Sequence, residues 1–128
     1  MKIWLSTVFV EDQAKALEFY TGVLGFVKKT DISLGKYRWL TIVSPDDPNG
    51  AQLLLEPNEN PASKAFQKSI REQKIPAAMF RVENLGSEVT RLKARGVKFT
   101  MEITKTPGST IAVLEDTCGN LIQLVQLG

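Results

Sequence analysis

One offset lays two distant stretches of this chain on each other. Val10-Glu11-Asp12 falls on Val82-Glu83-Asn84, and Arg38–Ile42 falls on Thr110–Leu114. The same shift brings Gly25, which ends a helical pattern, close to Gly96, which ends another. A duplication of this kind constrains the fold strongly. Both copies must form the same motif, and one copy alone cannot bury its apolar face.

Each copy reads β-α-β-β-β. In the first, Ile3–Val10 is a β-branched and aromatic strand, and Asp12 is placed to cap a helix. Ala16, Leu17, Tyr20, Val23 and Leu24 then recur at helical spacing before Gly25. Gly25–Ile32 and Tyr37–Val43 read as strands around Gly35, and Gln52–Glu56 is a third that stops at Pro57. Asn60-Pro61 opens a further helix, with Ala62, Phe66, Ile70 and Gln73 marking one face. In the second copy Ala77–Val82 is a strand, Asn84 a cap, and Leu85, Val89 and Leu92 a helical stripe. Val97–Ile103, Thr110–Leu114 and Leu121–Val125 follow as strands, the last after the turn Glu115-Asp116-Thr117-Cys118-Gly119-Asn120. The expected fold is α+β: two tandem βαβββ units forming a curved, partly open mixed sheet around a central cavity. At 128 residues this is one domain. Residues 1–57 form the first unit, 58–75 a linker with a helix, and 76–128 the second unit.

Composition narrows the chemistry. The chain is 43% hydrophobic and 23% charged, enough for a real core, and its formal charge of +2 is scattered. No basic stripe or acidic tail points to nucleic acid or a membrane surface as a partner. No apolar run reaches the roughly 18 residues of a membrane span. The first residues run into a strand pattern rather than a signal region. A single cysteine makes no intrachain disulfide, so a cytoplasmic location is expected. The count of histidines is zero, which excludes His-based triads, a His general base and His metal ligands.

Period-2 alternation assigns the faces. Val8, Val10, Leu53, Leu55, Phe80, Val82, Ile122 and Leu124 suit the face under the helices. The opposite face takes Leu5, Thr7 and Phe9, then Gln52, Leu54 and Glu56, then Ala77, Met79 and Arg81, then Leu121, Gln123 and Val125. An apolar surface with a few polar groups has the composition of a small-molecule site.

The strings Val8-Phe9-Val10-Glu11-Asp12, Ala16-Leu17-Glu18-Phe19-Tyr20 and Val23-Leu24-Gly25-Phe26 resemble the vicinal oxygen chelate superfamily. Its members include glyoxalase I, bleomycin-resistance proteins, fosfomycin-resistance enzymes and extradiol dioxygenases. The closing Glu115–Leu124 resembles the family's Asp-Pro-Asp-Gly-Asn ending, and the likeness spans essentially the whole chain. It implies the duplicated fold and a homodimer. It also implies four metal-ligand positions, one on the first and last strand of each unit. Here those positions hold Leu5, Leu54, Ala77 and Gln123, three apolar residues and an amide, which cannot hold a catalytic divalent cation. No metal cofactor is therefore expected. Glu56, two residues past Leu54 on the same face, is the residue a shifted register would bring in, with a divalent ion such as Ni, Zn, Mn or Fe as the alternative.

Each remaining candidate has a plain structural reading beside the functional one. Glu56 is a pocket carboxylate or a solvated strand end, and Arg81 an anion clamp, a partner of Glu56 or a rim arginine. Gln123 sits among apolar neighbours and needs a partner for its amide. Tyr37 and Trp39 stack a flat ligand or simply pack the sheet, whereas Trp4 packs on a neighbouring element or a second chain. Cys118 lacks an activating histidine and reads as structural. The function expected is metal-free binding of a small organic molecule through Leu5, Thr7, Phe9, Trp39, Leu54, Glu56, Ala77, Met79, Arg81 and Gln123. The alternative is a glyoxalase-type lyase or isomerase, or another enzyme of the superfamily, with Glu56 as general base. A third class, a purely structural or partner-binding domain, predicts faces filled by their own side chains.

Overall fold

The structure, a computed structural model, describes every residue from Met1 to Gly128. Its elements run β1 (Leu5–Val10), α1 (Gln13–Leu17), a π-helical turn (Glu18–Val23), β2 (Val27–Leu34), β3 (Tyr37–Val43) and β4 (Gln52–Pro57). They continue with α2 (Pro61–Glu72), β5 (Ala78–Arg81), α3 (Leu85–Ala94), β6 (Phe99–Thr106), β7 (Ser109–Glu115) and β8 (Leu121–Leu127). The chain divides into two compact units, Met1–Gln67 and Lys68–Gly128, the division falling within α2.

In unit 1 the strand order is β1-β4-β3-β2, with β1 parallel to β4 and the other pairs antiparallel. A parallel neighbour needs a crossover, and α1 with its π-helical turn begins it. Asp12 is extended at φ −147° and accepts from the Lys15 amide at 3.0 Å, so the helix starts where the cap residue stands. The helix buries Ala16, Phe19 and Tyr20 on a sheet face made by Val8, Val10, Leu40, Ile42 and Leu55, all buried. Gln13 ties this helix to the sheet. Its Nε2 donates to the carbonyls of Arg38 (2.7 Å) and Leu55 (2.9 Å), and its Oε1 accepts from the Arg38 amide at 3.0 Å.

Unit 2 repeats the pattern as β5-β8-β7-β6, with β5 parallel to β8. Asn84 caps α3 by accepting from the Ser87 amide at 3.0 Å. Leu85, Val89 and Leu92 are buried, as are Ala112, Leu114, Ile122 and Leu124 on the β7 and β8 face that α3 contacts. The turn before β8 is built on Asp116, which accepts from the amides of Cys118 (2.7 Å) and Asn120 (2.9 Å) and from Asn120 Nδ2 (2.7 Å). Cys118 is buried in that turn, in keeping with its structural reading.

The duplicated βαβββ architecture therefore stands, with local corrections. β2 starts at Val27 rather than Gly25, because the Phe26 amide still bonds to the Tyr20 carbonyl as the helix's last tie. In the same way Val97 donates to the Leu92 carbonyl, and β6 runs Phe99–Thr106 instead of Val97–Ile103. The face of α2 marked by Ala62, Phe66, Ile70 and Gln73 is largely exposed. Phe66 is 55% exposed and Ala62 is exposed, whereas the buried residue is Gln67. Gln67 is held by chemistry rather than by hydropathy: its Nε2 donates to the Phe9 carbonyl at 2.9 Å and its Oε1 accepts from Asn58 Nδ2 at 2.7 Å.

Candidate functional site

Cross-strand partners point to the same side of a sheet, so the registers define the face opposite each helix. In unit 1, Leu5 pairs with Gln52, Thr7 with Leu54, Phe9 with Glu56, and Thr41 with Leu54. Alternation along β3 adds Trp39, which pairs with Ile32 of β2. The candidates Leu5, Thr7, Phe9, Trp39, Leu54 and Glu56 thus share one face, the one opposite the helix. Leu54 is buried there, Thr7 is exposed, and Leu5, Phe9, Trp39 and Glu56 are half-buried. Glu56 takes part in no ion pair.

Two residues join this face that sequence reasoning left out or left undecided. Trp4 precedes β1, its carbonyl accepting from the Gln52 amide, and its ring stacks on Trp39 with centroids 6.1 Å apart at 28°. Thr41, in the middle of β3, is fully buried and its Oγ1 has no hydrogen-bond partner. Nothing in hydropathy marks a threonine as orphaned. Only the packing around it does.

In unit 2, Met79 pairs with Gln123, Arg81 with Val125, and Val113 with Gln123, while Met101 of β6 pairs with Val113. Ala77 donates its amide to the Leu121 carbonyl and leads into the same face. Met79 and Arg81 are exposed, Ala77 and Gln123 half-buried. The Gln123 amide makes one weak bond, Nε2 to the Met79 thioether at 3.7 Å, which leaves its carbonyl free for another donor. Arg81 forms no ion pair with a carboxylate of its own unit. The cations that do take a carboxylate in this unit are Lys68 (Glu72), Arg71 (Glu115), Arg91 (Glu88) and Lys93 (Glu102).

Electrostatic perturbation occurs on the other side of the unit 1 sheet and at the β2–β3 turn, where Tyr37 raises the Lys36 pKa. Asp31 accepts from Arg38 Nε at 2.9 Å and Nη2 at 2.6 Å, with Lys28 at 3.4 Å. The Arg38 hydrogen bonds, with smaller help from its charge and from Lys28, hold the Asp31 carboxyl at about 2.

Comparisons with known proteins agree with this architecture. Residues 4–124 match the family model described as the Glyoxalase/Bleomycin resistance protein/Dioxygenase superfamily, and the chain belongs to that superfamily. It is 58% identical over 126 residues to the uncharacterized protein YurT of Bacillus subtilis (strain 168), covering 98% of this chain and 99% of that one. Among solved structures it is similar to UcmS2, with 32% identity, a TM-score of 0.84 and coverage of 98% and 97% of the two chains. It is also similar to TnmS3, described as an antibiotic binding protein from Streptomyces sp. CB03234, at 26% identity, TM-score 0.80 and coverage of 100% and 97%.

The superfamily's metal enzymes raise the question whether these residues fit a divalent ion. They do not. The positions that the family resemblance assigns to the ligands hold Leu5, Leu54, Ala77 and Gln123, and no group of three or more Cys, Asp, Glu or His side chains converges in the chain. A hard or borderline cation needs several deprotonated oxygen, nitrogen or sulfur donors together.

Proposed function

We propose that this chain is a binding protein for a small organic molecule, working without a metal, as a cytoplasmic homodimer. The observation that carries the reading is the substitution of all four metal-ligand positions on a scaffold whose open faces stay apolar with isolated polar groups. Burial of ligand surface supplies affinity at about 25 cal/mol per Å² of apolar area, and Gln123, Arg81 and Glu56 orient the ligand. The similarity to an antibiotic binding protein supports the same class of function. No helix is long and apolar enough to cross a membrane, and the one cysteine suits a reducing compartment. Exposed apolar residues at Ile32, Leu34 and Met79 suit a second copy or a ligand.

The test is a thermal-shift screen of small aromatic and polycyclic compounds in EDTA, followed by calorimetry of the hits and sedimentation of the free protein. Stabilisation that persists in EDTA, with a dimer in solution, is the expected result. A screen that stabilises nothing contradicts the reading and favours a structural domain. A second reading, an enzyme using Glu56 as general base, draws on the half-buried and unpaired state of that carboxylate. Turnover abolished by Glu56→Gln would move the protein into that class.

A further inference from the structure

A buried hydroxyl without a partner is a cost that a fold normally avoids, because each unmade bond in an interior forfeits what water would supply. Thr41 Oγ1 is such a group, the one orphaned polar side-chain atom found in the chain. The duplication makes it more telling. The row Thr7–Leu54–Thr41 of unit 1 corresponds, by strand and pairing, to Met79–Gln123–Val113 of unit 2. The isostere Val113 fills the matching site and is buried there, so the motif accepts valine at this position. A threonine in its place brings a hydroxyl that nothing in the folded chain uses.

From this we infer that Thr41 is the polar anchor of a ligand subsite on the unit 1 face, and that the ligand is a planar aromatic compound bearing a carbonyl. The inference deepens the small-molecule reading above and rests on it. The hydroxyl needs an acceptor for its proton, and a ketone oxygen supplies one without bringing a charge into an apolar setting. The flat shape follows from the surroundings. Trp39 lies two residues along the same strand on the same face, and Trp4 stacks on it while remaining 62% exposed. Along β3 the face passes from buried Thr41 to half-buried Trp39, on which exposed Trp4 stacks, so a thin ring system enters along the tryptophans. Thr41 is inaccessible in the free fold, so the side chains over it must give way before the carbonyl makes the missing bond.

The matched probes are 1-indanone and indane, which differ by the carbonyl, titrated against the intact protein by ligand-observed NMR. Wild type is expected to prefer 1-indanone by roughly three- to tenfold, the value of one neutral hydrogen bond. Thr41→Val is expected to erase that preference while raising Tm, since it removes the orphaned group and keeps the volume. Thr41→Ser, which retains the hydroxyl, is expected to keep the preference. A preference unchanged in Thr41→Val overturns the inference and leaves the small-molecule reading standing. A fall in Tm for Thr41→Val also overturns it, because the hydroxyl would then have a structural partner. Failure of wild type to bind 1-indanone overturns it as well, and the broader reading falls only if the compound screen is blank too.

Discussion

Unit 1 opens its helix with Gln13, and unit 2 opens the corresponding helix with Leu85. The glutamine reaches across to two strands and satisfies an amide and two carbonyls, whereas Leu85 is simply buried. In unit 2 an amide still serves the helix start, but it comes from the sheet: Gln126 Oε1 accepts from the Leu85 amide at 2.7 Å. The helices differ in winding for a related reason. Unit 1 has one residue more between cap and terminating glycine, Asp12 to Gly25 against Asn84 to Gly96. The π-helical turn Glu18–Val23 absorbs it, so that Phe19 and Tyr20 are both buried and pack edge to face at 5.7 Å. The open faces diverge further, with threonines flanking a leucine in unit 1 and methionines and valine around a glutamine in unit 2. A repeated motif thus preserves topology and register while its two surfaces acquire separate chemistry.

The largest expected effects come from the residues that fill corresponding places under the two helices. Tyr20→Ala should cost about 3–5 kcal/mol and Leu92→Ala about 2–5 kcal/mol in urea unfolding, since both are essentially inaccessible. Near-equal losses would show that the two cores bear similar shares of stability. A negligible loss at either would break the comparison.

Next in size is the polar tie. Gln13→Leu copies the unit 2 residue into unit 1 and leaves three backbone groups without partners, at a cost of about 2–3 kcal/mol. Gln126→Leu removes one bond at a helix start and should cost about 1 kcal/mol. If Gln13→Leu is neutral, the two helix starts are interchangeable and the contrast drawn between them is wrong.

A smaller pair sharpens the account of α2. Phe66→Ser should stay within about 0.5 kcal/mol because the ring is exposed, whereas Gln67→Leu should cost about 1–2 kcal/mol by stranding Asn58 and the Phe9 carbonyl. The smallest effect is acid dependence in unit 1. Asp31 titrates near 3.8 when free and about 2 when folded, a depressed value. Its contribution is therefore complete above the unfolded value and is lost as pH falls from about 4 towards 2. Melting curves over that window should flatten slightly in Asp31→Asn, and an unchanged slope would remove the ion pair from the account.

The duplication was legible because capping residues, stop glycines and alternating strands are local signals. Asp12, Asn84, Gly25 and Gly96 do in the structure what their chemistry suggests. The facing of β1, β4, β5 and β8 was legible for the same reason. Gln67 was not, because a buried amide is justified by two tertiary hydrogen bonds that hydropathy cannot reveal. Thr41 was hidden for the opposite reason: it is distinguished by a bond it does not make. Trp4 lies outside its strand and reaches the open face through its stack on Trp39, which period-2 counting cannot follow.

The most direct test of the central claim is metal binding by the intact protein, measured by elemental mass spectrometry after exposure to nickel, zinc, manganese and iron(II) and dialysis. Thermal melts of the loaded and unloaded samples would run alongside. No retained ion and no shift in Tm are expected, because Leu5, Leu54, Ala77 and Gln123 cannot supply the donors. One ion retained per chain with a clear rise in Tm would contradict this and place Glu56 at the centre of a metal-assisted enzyme.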